Sequence, residues 1–142
     1  MTARSYLIGA VMVVSSITIA HGESRAAPPA LTMTCHELLR GVPSKDATIY
    51  EVIGTDMFAT GAAGRKKIST VGSQLYLGTV RDARGPIDSY AIHSRKGMMV
   101  TRSVYEQRPG QKKRLFFTDR YDFARHRVIG SDGKDSCHAN GR

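Results

Sequence analysis

The sequence has no tryptophan, two cysteines, and 12 Asp and Glu against 21 Lys and Arg. Each shortage narrows the reading. The few carboxylates stand mostly in turn-like stretches beside Arg or Lys, which argues against a paired acid/base site. Without tryptophan, the aromatic content is Tyr and Phe inside strand-like runs. No second long apolar run follows the one at the N-terminus, so the mature chain is expected to be soluble and not membrane-spanning. No helical crossover pattern separates the β-like segments, which disfavours a parallel sheet and favours antiparallel pairing. Internal repeats and low-complexity tracts are absent. Nothing in the chain asks for a cofactor.

What is present begins with an export signal. Arg4 supplies the positive charge of a short leading region, and residues 6–20 are uncharged and mostly apolar. The small residues Thr18 and Ala20 fit cleavage after Ala20, with Ala20 and Gly22 as a second option. Residues 1–20 therefore read as a signal peptide and residues 21–31, polar and Pro-containing, as a linker. Residues 32–142 read as a single β-rich domain. About 110–120 residues then remain to fold, enough for one modest core.

Two cysteines in an exported chain read as a disulfide, here between Cys35 and Cys137. The competing reading is a zinc site, because His36 and His138 each follow a cysteine. Adjacent ligands, however, diverge by about 100° on a helix, and structural sites space theirs further apart. We expect the disulfide and no metal. Around Cys35 the pattern predicts a short helix. Thr34 is its N-cap, Glu37 completes a capping box, and Cys35, Leu38 and Leu39 share one face. His36 and Arg40 fall on a wetter face, Gly41 ends the helix, and Pro43 prevents its continuation.

Strand candidates follow at residues 47–53, 57–59, 68–80, 88–94, 98–106, 114–118 and 121–129. Residues 68–80 read as one strand or as two interrupted near Gly72 and Ser73. Asp119 and Arg120 are taken as a turn inside 114–129. The basic, Gly-rich residues 61–67 read as a solvated loop, since they lack the phosphate-loop spacing and no helix pattern follows them. The expected fold is mainly β: a small antiparallel meander, closed as a barrel or folded as a two-sheet sandwich, with one short N-terminal helix tied by the disulfide.

His93 and His126 are the histidines inside strand candidates. A catalytic reading pairs one of them with Ser94 or Ser103 and with Asp88 or Asp122, but no nucleophile-elbow motif supports it. Arg102 alternates onto the apolar face with Val100 and Val104. It is expected to snorkel outward at a sheet edge, the other reading being a buried charge kept for binding.

The pattern that remains is basic residues gathered at turns. In a meander, successive turns alternate between the two ends of the sheet. With residues 68–80 taken as one strand, Arg65, Lys66, Lys67, Arg95, Lys96 and Arg120 share one end. Arg81, Arg84, Arg108, Lys112 and Lys113 share the other. An extra break at Gly72 and Ser73 would move the Arg65 group across. The expected function is an exported, non-enzymatic binding module whose basic turns dock an anionic partner. That partner would be an acidic protein, an envelope polymer or a lipid head group. Nucleic acid fits an exported chain poorly, and aromatic residues are not interleaved with the basic turns. The competing expectations are a protein-inhibitor-like domain engaging its target by a loop, and a small hydrolase using His93 or His126.

Overall fold

Burial alternates residue by residue through much of the chain. On one segment Val100, Arg102 and Val104 are buried, while Thr101, Ser103 and Tyr105 between them are partly exposed. This two-residue period is that of a strand with one face turned inward. The computed structural model describes residues 27–138 and contains β1 (Leu31–Leu39), β2 (Val42–Ile53), β3 (Asp56–Gly61), β4 (Gly64–Thr70), β5 (Leu75–Asp82), β6 (Gly85–Lys96), β7 (Met99–Gln107), β8 (Arg114–Asp122), β9 (Arg127–Ile129) and β10 (Asp135–His138). The expected signal peptide lies outside the described residues. No helix among the described residues is long and apolar enough to cross a membrane.

All ten strands belong to one antiparallel sheet in the order β4-β3-β2-β1-β10-β9-β8-β7-β6-β5. Neighbours in the sheet are neighbours in sequence except where β1 meets β10. The first and last strands therefore lie side by side in the middle. The sheet curls until β4 lies against β6, where Val71 bridges His93 in parallel, but it does not close into a barrel. Of the two expected architectures, neither a closed barrel nor a sandwich is adopted.

Among the described residues the β1–β10 ladder pairs His36 with His138 and Glu37 with Cys137. The expected disulfide between Cys35 and Cys137 reinforces this short joint, with Cα atoms 5.4 Å apart. Both cysteines lie in the core with Leu31, Met33, Val52, Met57, Val100, Tyr121, Phe123 and Val128.

The expected helix at Thr34–Arg40 is a correction: those residues belong to β1 and the turn after it. The burial of Leu31, Met33 and Cys35 follows a period of two, and Leu39, which the helix would have buried, is 58% exposed. Strand pairing on both sides, with β2 and β10, decided between two periods that the local sequence allows. Gly41 ends no helix. With Arg40 at φ 53° and Gly41 at φ 80°, it closes a two-residue hairpin in which both central residues are left-handed. Leu31, assigned by composition to the linker, opens β1 and is buried.

Of the two forms expected for residues 68–80, the structure has the interrupted one: two strands, broken by residues 71–74, with Gly72 at φ 80°. Two further expectations change. Arg65, Lys66 and Lys67 are not in a loop but on β4. Asp119 and Arg120 are not a turn but lie within β8. The turn comes at residues 123–126 instead, where Asp122 Oδ1 accepts the Arg125 amide at 3.0 Å and His126 adopts φ 54°.

Candidate functional site

The extra strand break redistributes the charged residues. β4 and β6 run in the same direction with Val71 beside His93. Arg65, at the start of β4, therefore lies toward the end where β6 begins, while Arg95 and Lys96 close β6 at the other. The six cations expected to share one end are thus divided. Arg65, Lys66 and Lys67 fall on the side of the β5–β6 turn, which we call the Arg84 end. Arg95, Lys96 and Arg120 lie toward the opposite, Arg95 end, with Arg120 facing Thr101 and Ser94 across the ladder.

Their surroundings differ as well. Arg65 pairs with Glu51 at 3.3 Å and lies 4.0 Å over the Phe58 ring, and Lys67 pairs with Asp56 at 3.3 Å. Arg95 is occupied within the fold. Its Nε donates to Gly97 O and its Nη2 to Pro29 O, both at 2.9 Å, tying the N-terminal segment to the β6–β7 turn.

At the Arg84 end the β5–β6 turn and the β7–β8 loop meet. Together they present Arg81, Arg84, Arg108, Lys112, Lys113 and Arg114. Two carboxylates, Asp82 and Glu106, pair with them, and a third, Asp88, lies close by. Arg108 grips both oxygens of Asp82, whose carboxyl is held well below its ordinary range by that hydrogen bonding. Arg114 reaches Glu106 at 3.5 Å. Asp88 accepts from Thr79 Oγ1. Cations remain in excess, and Arg81 and Lys112 are exposed. Arg84, Arg108, Lys112 and Arg114 also line a cleft of about 180 Å³.

Beside this rim, on the outward face, strand register builds an aromatic row that spacing alone did not reveal. Tyr76 of β5 faces Tyr90 of β6, Tyr90 faces Tyr105 of β7, and Tyr105 faces Leu115 of β8. The Tyr76 and Tyr90 rings are 5.5 Å apart, and Tyr76 is 54% exposed. Lys113 reaches across from the β7–β8 loop, its Nζ 3.8 Å from the Tyr90 centroid and 2.7 Å from Gln74 Oε1. Aromatic and basic residues are therefore interleaved after all, across strands. The three tyrosines lie on three different strands, so no local stretch of sequence shows them together. The available sequence signal was their alternation with the inward-facing Ala91 and Val104.

The inward face carries polar residues too. Arg102 does not snorkel at an edge: β7 is flanked by β6 and β8, and the side chain is 9% exposed. Its Nε donates to Ile68 O at 3.1 Å. His93 and Asp119 oppose it on the two neighbouring strands. His93 Nδ1 contacts Ser69 Oγ at 2.8 Å, and its Nε2 is buried without a partner among the described residues. Burial pushes the His93 pKa below its ordinary value, and the Arg102 charge adds to this against an opposing pull from Asp56. Burial also raises the pKa of Asp119 and of Tyr121, with Arg102 pulling both down. Neither serine expected beside His93, Ser94 or Ser103, is its partner. The Ser69–His93 pair is sealed, at 0% and 3% exposure. His126 is exposed in the turn after β8.

Compared with protein-family models, with curated proteins and with solved structures, the chain finds no match in any of the three.

Proposed function

We propose that this protein is an exported, non-enzymatic binding module that docks an anionic envelope polymer at the Arg84 end of its sheet. The observation that carries the reading is the meeting of the basic β5–β6 turn and β7–β8 loop beside the outward row Tyr76, Tyr90 and Tyr105. Clustered cations draw an anionic chain and set its association rate. Flat rings beside them give the repeating units of a polymer something to stack on, as aromatic platforms do for other chain-like ligands. An acidic protein would satisfy the charge but would make less use of the row. Arg65, Lys66 and Lys67 extend the basic surface along β4 from the same end. Export is supported by the N-terminal signal pattern and by a disulfide that closes nearly the whole domain. The catalytic reading loses support at His93, whose burial with Ser69 leaves no approach for a substrate carbonyl.

The test is retention on immobilised sulfated dextran, poly-glutamate and neutral dextran as salt is raised. The proposal expects retention on sulfated dextran at low salt, weaker retention on poly-glutamate, and none on neutral dextran. Elution should be steep, because exposed charges are screened within about 10 Å at 0.1 M salt. Equal retention on neutral dextran, or none on either polyanion, would overturn it.

A further inference from the structure

The core does not fill the whole inward face. It draws on β1–β3 and on β7–β10 around Val100, Tyr121 and Phe123. Toward the Arg84 end, the inward face of β5–β8 is open as a groove of about 340 Å³, and its floor contains Arg102. The walls are apolar: Leu77, Val80, Val104, Phe116 and Phe117. Two of these are left exposed by the fold, Val80 at 61% and Phe116 at 56%. The volume falls at the small end of ordinary ligand sites, about 300–1,000 Å³.

The charge at the floor is incompletely answered. Within the described residues the Arg102 Nε donates to a backbone carbonyl, the Tyr121 hydroxyl and the Phe117 ring lie beside the guanidinium, and no carboxylate oxygen lies within 4.0 Å of it. Asp119 opposes it across the ladder, but the Asp119 carboxylate lies beside Gly130 of the β9–β10 loop and forms no ion pair with it. Glu106, at the mouth of the groove, is paired with Arg114. A guanidinium 9% exposed is costly to keep without a strong partner. A deep cation under apolar walls matches a ligand with one anionic head and an aliphatic tail.

We propose that this groove binds a free aliphatic monocarboxylate, its head on the Arg102 guanidinium and its chain along Leu77, Val80, Val104, Phe116 and Phe117. This site is separate from the outward tyrosine row and does not depend on polymer binding there. Charged hydrogen bonds to a buried guanidinium carry the recognition of the head, and burial of methylenes carries the affinity.

The experiment is calorimetric titration of the oxidised protein with decanoate, decanol and decyltrimethylammonium, and separately with anionic phospholipid vesicles. Decanoate should bind one to one, decanol at least about tenfold more weakly, and decyltrimethylammonium not measurably. Arg102→Gln should abolish the preference for decanoate over decanol. Because Arg102 is buried and that variant could fail to fold, Val80→Asp and Phe116→Asp provide the second arm. Both side chains are exposed, so thermal unfolding should barely change while decanoate binding falls at least about tenfold. Failure of wild-type protein to bind decanoate, equal binding of decanoate and decanol, or unaltered binding by folded Val80→Asp and Phe116→Asp would each overturn the proposal. So would binding to the vesicles with none to decanoate, which would transfer the surface to a membrane.

Discussion

Removing the disulfide should cost this protein a large part of its stability, and the loss should begin at one place. Cys35 and Cys137 are separated by 102 residues. Closing a loop of about a hundred residues is worth about 4.7 kcal/mol at 25 °C in the chain-entropy account. Whole domains have only about 5–15 kcal/mol to lose. Among the described residues the β1–β10 joint that the bond supports pairs two residues on each strand, so the bond is a main support of that joint. Replacing both cysteines with alanine should therefore lower the unfolding free energy by about 4–6 kcal/mol, the upper part reflecting two vacated core positions. Urea unfolding of wild-type and double-variant protein measures this directly. The variant's denaturant slope should also rise, because an uncrosslinked unfolded chain exposes more surface. In hydrogen exchange, amides of β1 and β10 should lose protection before those of β6 and β7. A double variant within about 1 kcal/mol of wild type, or loss of protection starting at β6, would refute the argument.

Stability should decline as the pH falls below about 7. His93 has a folded-state pKa depressed below its ordinary 6.5, so the unfolded chain takes up the proton first. The histidine's contribution is complete above 6.5 and is lost as the pH falls toward the lower folded value, with a slope of at most about 1.4 kcal/mol per pH unit. His93→Gln should flatten that stretch of the urea-midpoint profile; an unchanged profile would place the titration elsewhere. Gly41→Ala should destabilise by about 1–2 kcal/mol, since a side chain is strained at φ 80°. Equal denaturation midpoints would refute the hairpin geometry.

Most strands were legible because residues such as Tyr90, Ile92, Val100 and Val104 alternate with polar neighbours between clear turn signals. β1 was not, because Cys35, Leu38 and Leu39 suit a helical face as well as Leu31, Met33 and Cys35 suit a strand. Partners remote in sequence, β2 and β10, made the choice. Asp119 reads as a turn residue until its place opposite Arg102 and near Tyr121 is known, and that place depends on β7. A single break at residues 71–74 was enough to carry Arg65, Lys66 and Lys67 to the other end of the sheet. The position of Arg102 on the inward face followed from alternation. Its burial did not, since nothing local says that β6 and β8 flank β7. The tyrosine row belongs to the same class, being a property of register across three strands.

Matched charge reversal at the two ends tests the binding account most directly. One variant changes Arg81, Arg84 and Lys112 to Glu at the Arg84 end. The other changes Lys96, Arg120 and Arg125 to Glu toward the Arg95 end. All six side chains are exposed, and the change in net charge is the same. Retention on sulfated dextran, followed as a function of salt, should collapse for the first variant and lose its steep salt dependence. The second should elute close to wild type. Equal losses from both variants would mean that net charge alone governs binding, and a loss confined to the second would place the docking surface at the opposite end of the sheet.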